Sequence, residues 1–115
     1  MRTLNDYFLT AEIDDVSTSG QIYIPVPDDG KIIKIMSALG GAITGADAGL
    51  TAKIGGTAVT GGTITIANSG SAAGDVDTCA PTAANQVVEG QAIEIETDGA
   101  STNAVAVGIT VVIRR

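Results

Sequence analysis

The sequence predicts an all-β protein, an antiparallel β-sandwich of about eight strands with jelly-roll-like connections, on three observations. Apolar and polar residues alternate with a period of two. Val105, Val107, Ile109, Val111 and Ile113 fall on one side of such a ladder, as do Ile22 and Ile24, Ile64 and Ile66, and Ile93 and Ile95. Turn sequences rich in Gly, Ser, Thr and Asp recur roughly every ten residues. Finally, 44% of the residues are hydrophobic but only 3% are aromatic. A core of small β-branched side chains follows, and these suit a pleated surface.

From Asn5 to Ile13, Tyr7, Leu9, Ala11 and Ile13 alternate with Phe8, Thr10 and Glu12 to give a first strand, and residues 1–8 include a short arm. The segment Asp14 to Gly20 has turn composition. Gln21 to Val26 is a second strand, placed at an edge by Pro25, which cannot donate to a ladder. The Pro27-Asp28-Asp29-Gly30 sequence is a tight turn.

Lys31 to Leu39 is apolar on both faces, with Ile33, Ile35 and Leu39 on one side and Ile32, Met36 and Ala38 on the other. One face is expected to meet the core and the other a neighbouring subunit. The small residues of 40–49 form a loop carrying Asp47. Leu50 to Ile54 and Thr57 to Val59 flank Gly55-Gly56, a pair suited to a two-residue hairpin turn. A second pair, Gly61-Gly62, is expected to turn the chain again before a strand at Thr63 to Ala67.

After a Gly/Ser/Ala loop, Asp75 to Cys79 reads as a short strand. The stretch Ala80 to Gly90 is expected to hold one helical turn. Ile93 and Ile95 mark another strand, and Ala104 to Ile113 the longest and most regular one. That many strands need two sheets, and the connections at 40–49, 68–74 and 80–90 are long enough to cross between them. No segment recurs as a repeat.

At 115 residues with no such internal boundary, the chain is expected to form a single domain. Its net charge of −7 disfavours nucleic acid and anionic membrane as partners. No apolar run approaches the roughly 20 residues of a membrane span. The polar opening Met1-Arg2-Thr3-Leu4-Asn5-Asp6 does not read as a secretory signal. Cys79 has no second cysteine to pair with and no histidine to activate it. It reads as a small buried hydrophobe.

Carboxylates are the one reactive group present in number. A glycoside hydrolase needs two across a cleft, one with a raised pKa. Asp14, Asp15, Asp28 and Asp29 stand instead in turn sequences, and Glu94 and Glu96 lie on the polar side of a strand. Asp75 and Asp77, with Asp47, are the weak candidates for calcium, whose sites need several oxygen ligands. Zinc or iron in a jelly roll would require the histidines this chain lacks. Hence no metal and no cofactor is expected. The aromatic residues Tyr7, Phe8 and Tyr23 fit a core or an interface better than a sugar platform. The Gly pairs lack the Lys-Ser/Thr sequel of a phosphate loop.

Several segments carry a family resemblance: Ile24-Pro25-Val26-Pro27, Leu39-Gly40-Gly41-Ala42-Ile43-Thr44-Gly45-Ala46-Asp47, Ile54-Gly55-Gly56-Thr57-Ala58-Val59 and Val111-Val112-Ile113-Arg114-Arg115. Over residues 20–115 the chain resembles the small decoration, or cement, proteins of tailed bacteriophages. That resemblance implies a non-enzymatic virion protein, made in the bacterial cytoplasm. It implies a homotrimer on the outer capsid surface that clamps the assembled major capsid protein. Residues expected at a subunit or capsid interface are Leu4, Tyr7 and Phe8 near the arm, Ile32 and Met36 on the two-sided strand, and the terminal Arg114 and Arg115. The alternatives are a head-fibre or tail component, a carbohydrate-binding module and a small acidic hydrolase.

Overall fold

The computed structural model describes residues 5–115, which form nine strands and, among these residues, no helix. They are β1 (Asp6–Ile13), β2 (Gly20–Pro25), β3 (Gly30–Leu39), β4 (Ala48–Ile54), β5 (Thr57–Ile66), β6 (Val76–Cys79), β7 (Gln86–Val87), β8 (Ala92–Thr97) and β9 (Val107–Arg114). One sheet, called A here, has the order β1-β9-β3-β6 with β7 also on β3. The other, sheet B, runs β2-β8-β4-β5. All pairings are antiparallel. Early strands pair with late ones, β1 with β9 and β2 with β8, as when a long paired ribbon wraps over itself. That is the jelly-roll order.

Alternation along each strand sorts side chains between the inter-sheet core and the two outer faces. Ile32, Ile35, Leu39, Val107, Ile109, Val111 and Ile113 of sheet A meet Ile24, Leu50, Ala52, Ile64, Ile66, Ile93 and Ile95 of sheet B in one buried cluster. Tyr7, Leu9 and Ala11 pack against its edge. Two of the three long connections cross between the sheets as expected, 40–47 from β3 to β4 and 67–75 from β5 to β6, while 80–85 joins β6 to β7 within sheet A and the chain crosses only after β7. At Gly55-Gly56 the φ angles of 60° and 83° are both positive, which the two-residue hairpin between β4 and β5 requires and glycine supplies without strain.

The last strand, β9, expected to be the longest, has eight residues against ten in β3 and β5, and three further sequence expectations are corrected. Gly61-Gly62 does not turn the chain. The ladder with β4 is interrupted where residues 59–62 bulge out opposite Ala52, and β5 then continues to Ile66. Gly61, with φ 77°, sits in that bulge.

No helical turn forms within 80–90. The segment is irregular, bent at Ala84 with φ 51° and turned at 89–90, because its backbone is recruited from both sides. Thr60 N donates to Ala83 O at 3.0 Å and Thr82 N to Thr60 O at 2.9 Å, while Ile32 N donates to Asn85 O at 2.9 Å. The buried Asn85 amide completes the link by donating Nδ2 to Ile32 O at 2.6 Å. Main-chain bonds to two neighbours replace those a helix would make within itself.

The third correction concerns Ile32, which was expected to face outward and is instead fully buried in the core. Its register partner is Ile113, whereas Lys34, not Ile33, pairs with Val112. The β-bulge at Ile33 shifts the alternation by one, so Ile32 and Ile35 share the inner face.

Candidate interaction surface

The outer faces of the two sheets differ in chemistry. On sheet B the outward positions are Gln21, Tyr23, Thr51, Lys53, Thr63, Thr65, Glu94 and Glu96, a solvated face crossed by a Lys53–Glu96 ion pair of 3.1 Å. On sheet A, beyond a row of Asp6, Arg114 and Lys31 at one end, pairing places the outward residues in three further rows. Phe8, Val112 and Lys34 form the first. Thr10, Thr110, Met36 and Thr78 form the second, and Glu12, Gly108, Ala38 and Val76 the third.

Phe8 and Val76 are more than half exposed, at 55% and 58%. Val112 points outward yet is only 3% exposed, flanked by Phe8 and Lys34 on either side. Around Gly108 the surface sinks into a hollow of about 310 Å³, bordered by Thr10, Met36, Ala38, Val76 and Thr110. A side chain at Gly108 would meet nothing within 4 Å. The glycine, lacking a Cβ, is what makes the hollow.

At one end of sheet A the expected residues Tyr7, Arg114 and Arg115 form a connected cluster. Arg114 grips Asp6 with two parallel bonds, Nε to Oδ1 at 2.8 Å and Nη2 to Oδ2 at 3.1 Å. The carboxylate is nearly buried while the guanidinium is partly exposed, and the Asp6 bonds hold the Arg114 pKa above its ordinary value.

Arg115 donates to Asp28 Oδ2 at 2.7 Å and lies 5.0 Å from the centre of the Tyr7 ring. Tyr7 OH donates to Asp28 O at 2.5 Å. Both arginines are therefore taken up within the chain. They border, with Lys31, Asp29 and Val88, a cleft of about 630 Å³. Of the other expected interface residues, Phe8 and Met36 lie on the apolar face. Leu4 lies outside the described residues.

Burial pushes the Tyr7 phenol up, and the Asp28 carboxylate adds to this while Arg115 opposes it. A raised folded-state value means a contribution that is complete below the ordinary phenol value near pH 10 and is lost as pH climbs through the folded one. Wild-type protein is therefore expected to lose melting temperature on the alkaline side of about pH 10 more steeply than Tyr7→Phe. Thermal melts across that range measure it.

The opposite end of the sandwich carries the charge. The loops holding Asp14, Asp15, Asp47, Asp75 and Asp98 meet there, joined by bonds such as Val16 N to Val105 O at 2.9 Å and Thr102 N to Thr44 O at 3.0 Å. Glu12 and Asp77 lie on the adjoining strands, and no Lys or Arg among the described residues shares this end.

Most of these loop carboxylates serve the backbone. Asp15 accepts from Ser17 Oγ at 2.6 Å and Ser17 N at 2.9 Å, which lowers its pKa. Asp47 accepts from Asn68 N, Asp75 from Ala72 N, and Asp98 from Gly49 N. These are turn-stabilising geometries. Among the described residues no three His, Cys, Asp or Glu side chains gather in a way that would hold a metal ion. Cys79 is half-buried on β6, and burial raises its thiol pKa.

The strand alternation made Phe8 and Met36 legible as surface residues. The hollow was missed, because it depends on Gly108, Ala38 and Val76 lining up across β9, β3 and β6. Gly108 inside an otherwise β-branched strand was the available signal, since glycine there marks a close approach or a gap.

Together these features define a jelly-roll sandwich with one charged outer face and one in which apolar residues and threonines predominate. No family model matches the sequence, and no curated protein is significantly similar to it. In fold the chain is similar to one in the acid-stable capsid structure of the Helicobacter pylori bacteriophage KHP30. The TM-score is 0.61 at 12% sequence identity, covering 96% of this chain and 87% of that one. At that identity the likeness is one of fold.

Proposed function

We propose that this chain is a structural component of a bacteriophage capsid, of the decoration type. In this reading it binds the assembled major capsid protein from outside, as a homotrimer, and does no catalysis. The observation that carries the reading is the likeness, over nearly the whole of both chains, to a chain of a phage capsid structure. The apolar outer face of sheet A supports it, because exposed Ala, Gly, Thr and Val cost little side-chain entropy when a partner orders them. A decoration protein stabilises the shell by binding its assembled form in preference to the free subunits.

The test is removal and restoration. Capsids stripped of this chain are expected to break open at a lower temperature than complete ones, and adding the purified chain back is expected to restore heat resistance. Electron microscopy should then show added density on the outer surface, and light scattering of the free chain a trimer mass. Equal heat resistance with and without the chain, and no added density, would sink the proposal.

A second reading has one feature in its favour. Tyr23 is 60% exposed on the outer face of sheet B, beside Gln91 and Glu94 in a shallow hollow, as a sugar-stacking ring would be. Glycan-array binding that disappears in Tyr23→Ala would select a carbohydrate-binding module.

A further inference from the structure

We infer that the outer face of sheet A is the surface that meets the capsid, and that the hollow over Gly108 receives one large apolar side chain from the shell protein. The inference rests on the capsid reading and assigns the contact within it. Three observations lead to it.

The first is shape. The rows of this face are uneven, with the bulk of Phe8, Val112 and Lys34 at one side and the depression at Gly108 at the other. A depression of about 310 Å³ rimmed by Met36, Ala38 and Val76 has room for an aliphatic or aromatic side chain. Its lining is mostly apolar, and the polar side chains that border it are Thr10, Thr110 and the buried Ser37.

The second is charge. Over the face as a whole Lys31, Lys34 and Arg114 offset Asp6 and Glu12, with Asp6 gripped by Arg114 and Glu12 beside the hollow. Most other carboxylates lie beyond it on the loops, so the face as a whole carries little net charge against a partner.

The third is area, which decides the occupant. Four rows about 6.8 Å apart, the Asp6, Arg114 and Lys31 row included, across four strands about 4.8 Å apart span roughly 500 Å². A free-standing pair of proteins buries about 800 Å² on each side. A second copy docked face to face would therefore be held weakly. A shell offers many linked contacts, and there a small patch suffices because avidity multiplies it.

Gly108→Val tests the assignment because it separates folding from docking. Gly108 has an ordinary backbone angle and open space above it, so valine fits the strand. The variant is expected to melt at or above the wild-type temperature while its affinity for capsids assembled without this chain falls at least tenfold, on the order of a lost interface anchor. Thr65→Val, on the outer face of sheet B, is expected to bind as wild type does. Undiminished binding by Gly108→Val overturns the assignment and leaves the capsid reading standing. Failure of the wild-type chain to bind capsids overturns both. A wild-type dimer in sedimentation velocity that Gly108→Val dissociates assigns the face to a second copy and overturns the inference.

Discussion

Ile113→Ala is expected to lower folding stability by about 2–5 kcal/mol, the range for truncating a large aliphatic side chain in a packed core. Ile113 is fully buried on the inner face of β9, a central strand of sheet A, with Tyr7 and Ile32 as its register partners on either side. Its Cγ2 lies only 2.5 Å from where a Cβ on Gly30 would stand, so the backbone at Gly30 has closed up to it. The surroundings are strands held by main-chain bonds on both sides, and they cannot collapse to fill the space. Against a total of about 5–15 kcal/mol for a domain, that is a large share. Thr110→Ala, three residues earlier but on the outer face, should change stability by no more than about 0.5 kcal/mol. Urea unfolding of the two variants measures the contrast, and equal effects would contradict the inward and outward assignment of β9.

Gly99→Ala is expected to cost about 2–5 kcal/mol, from two sources that act together. Gly99 has φ 66°, and an L-residue in that region costs about 1–2 kcal/mol. The added methyl would also lie 2.5 Å from the Ser19 backbone nitrogen and 3.0 Å from Ser19 Cα. Relief requires the 98–106 loop to move away from the turn between β1 and β2. That turn is tied by the Thr97 hydroxyl donating to Thr18 O at 2.7 Å, so both loops shift together. Gly70→Ala isolates the backbone part. Its φ is 71° but nothing lies within 4 Å of the new methyl, and about 1 kcal/mol is expected. Denaturant midpoints for the pair give the difference directly, and equal shifts would remove the steric part of the argument.

Much of this architecture was legible because a period-two pattern leaves a β-sandwich little freedom. The turn at Gly55-Gly56, the edge placement forced by Pro25 and the inward row Val107 to Ile113 all follow from local rules. What was not legible depends on long-range pairing. The bulge at Ile33 inverts the sense of every residue before it, and nothing within Lys31 to Leu39 marks where the slip falls. Residues 80–85 lie in the stretch expected to hold a helical turn, yet their backbone is taken up by partners some 20 and 50 positions earlier in the chain, Thr60 and Ile32. The interaction surface has the same limit. Phe8 and Met36 could be assigned to it from their own strands, while the Gly108 hollow exists only once four strands are aligned side by side.

The pairing of β1 with β9 has a mechanical consequence. Asn5 and Arg115 sit together at one end of this ladder, with Arg115 N donating to Asn5 O at 3.2 Å. A load applied between them would peel the two strands apart rung by rung, each step opposed by a hydrogen bond worth about 1 kcal/mol net. Strands pulled lengthwise past each other would instead have to break all their rungs at once. Tension carried through this pair of positions should therefore open the molecule progressively at low force, whereas pressing on its broad faces meets the full stiffness of two stacked sheets.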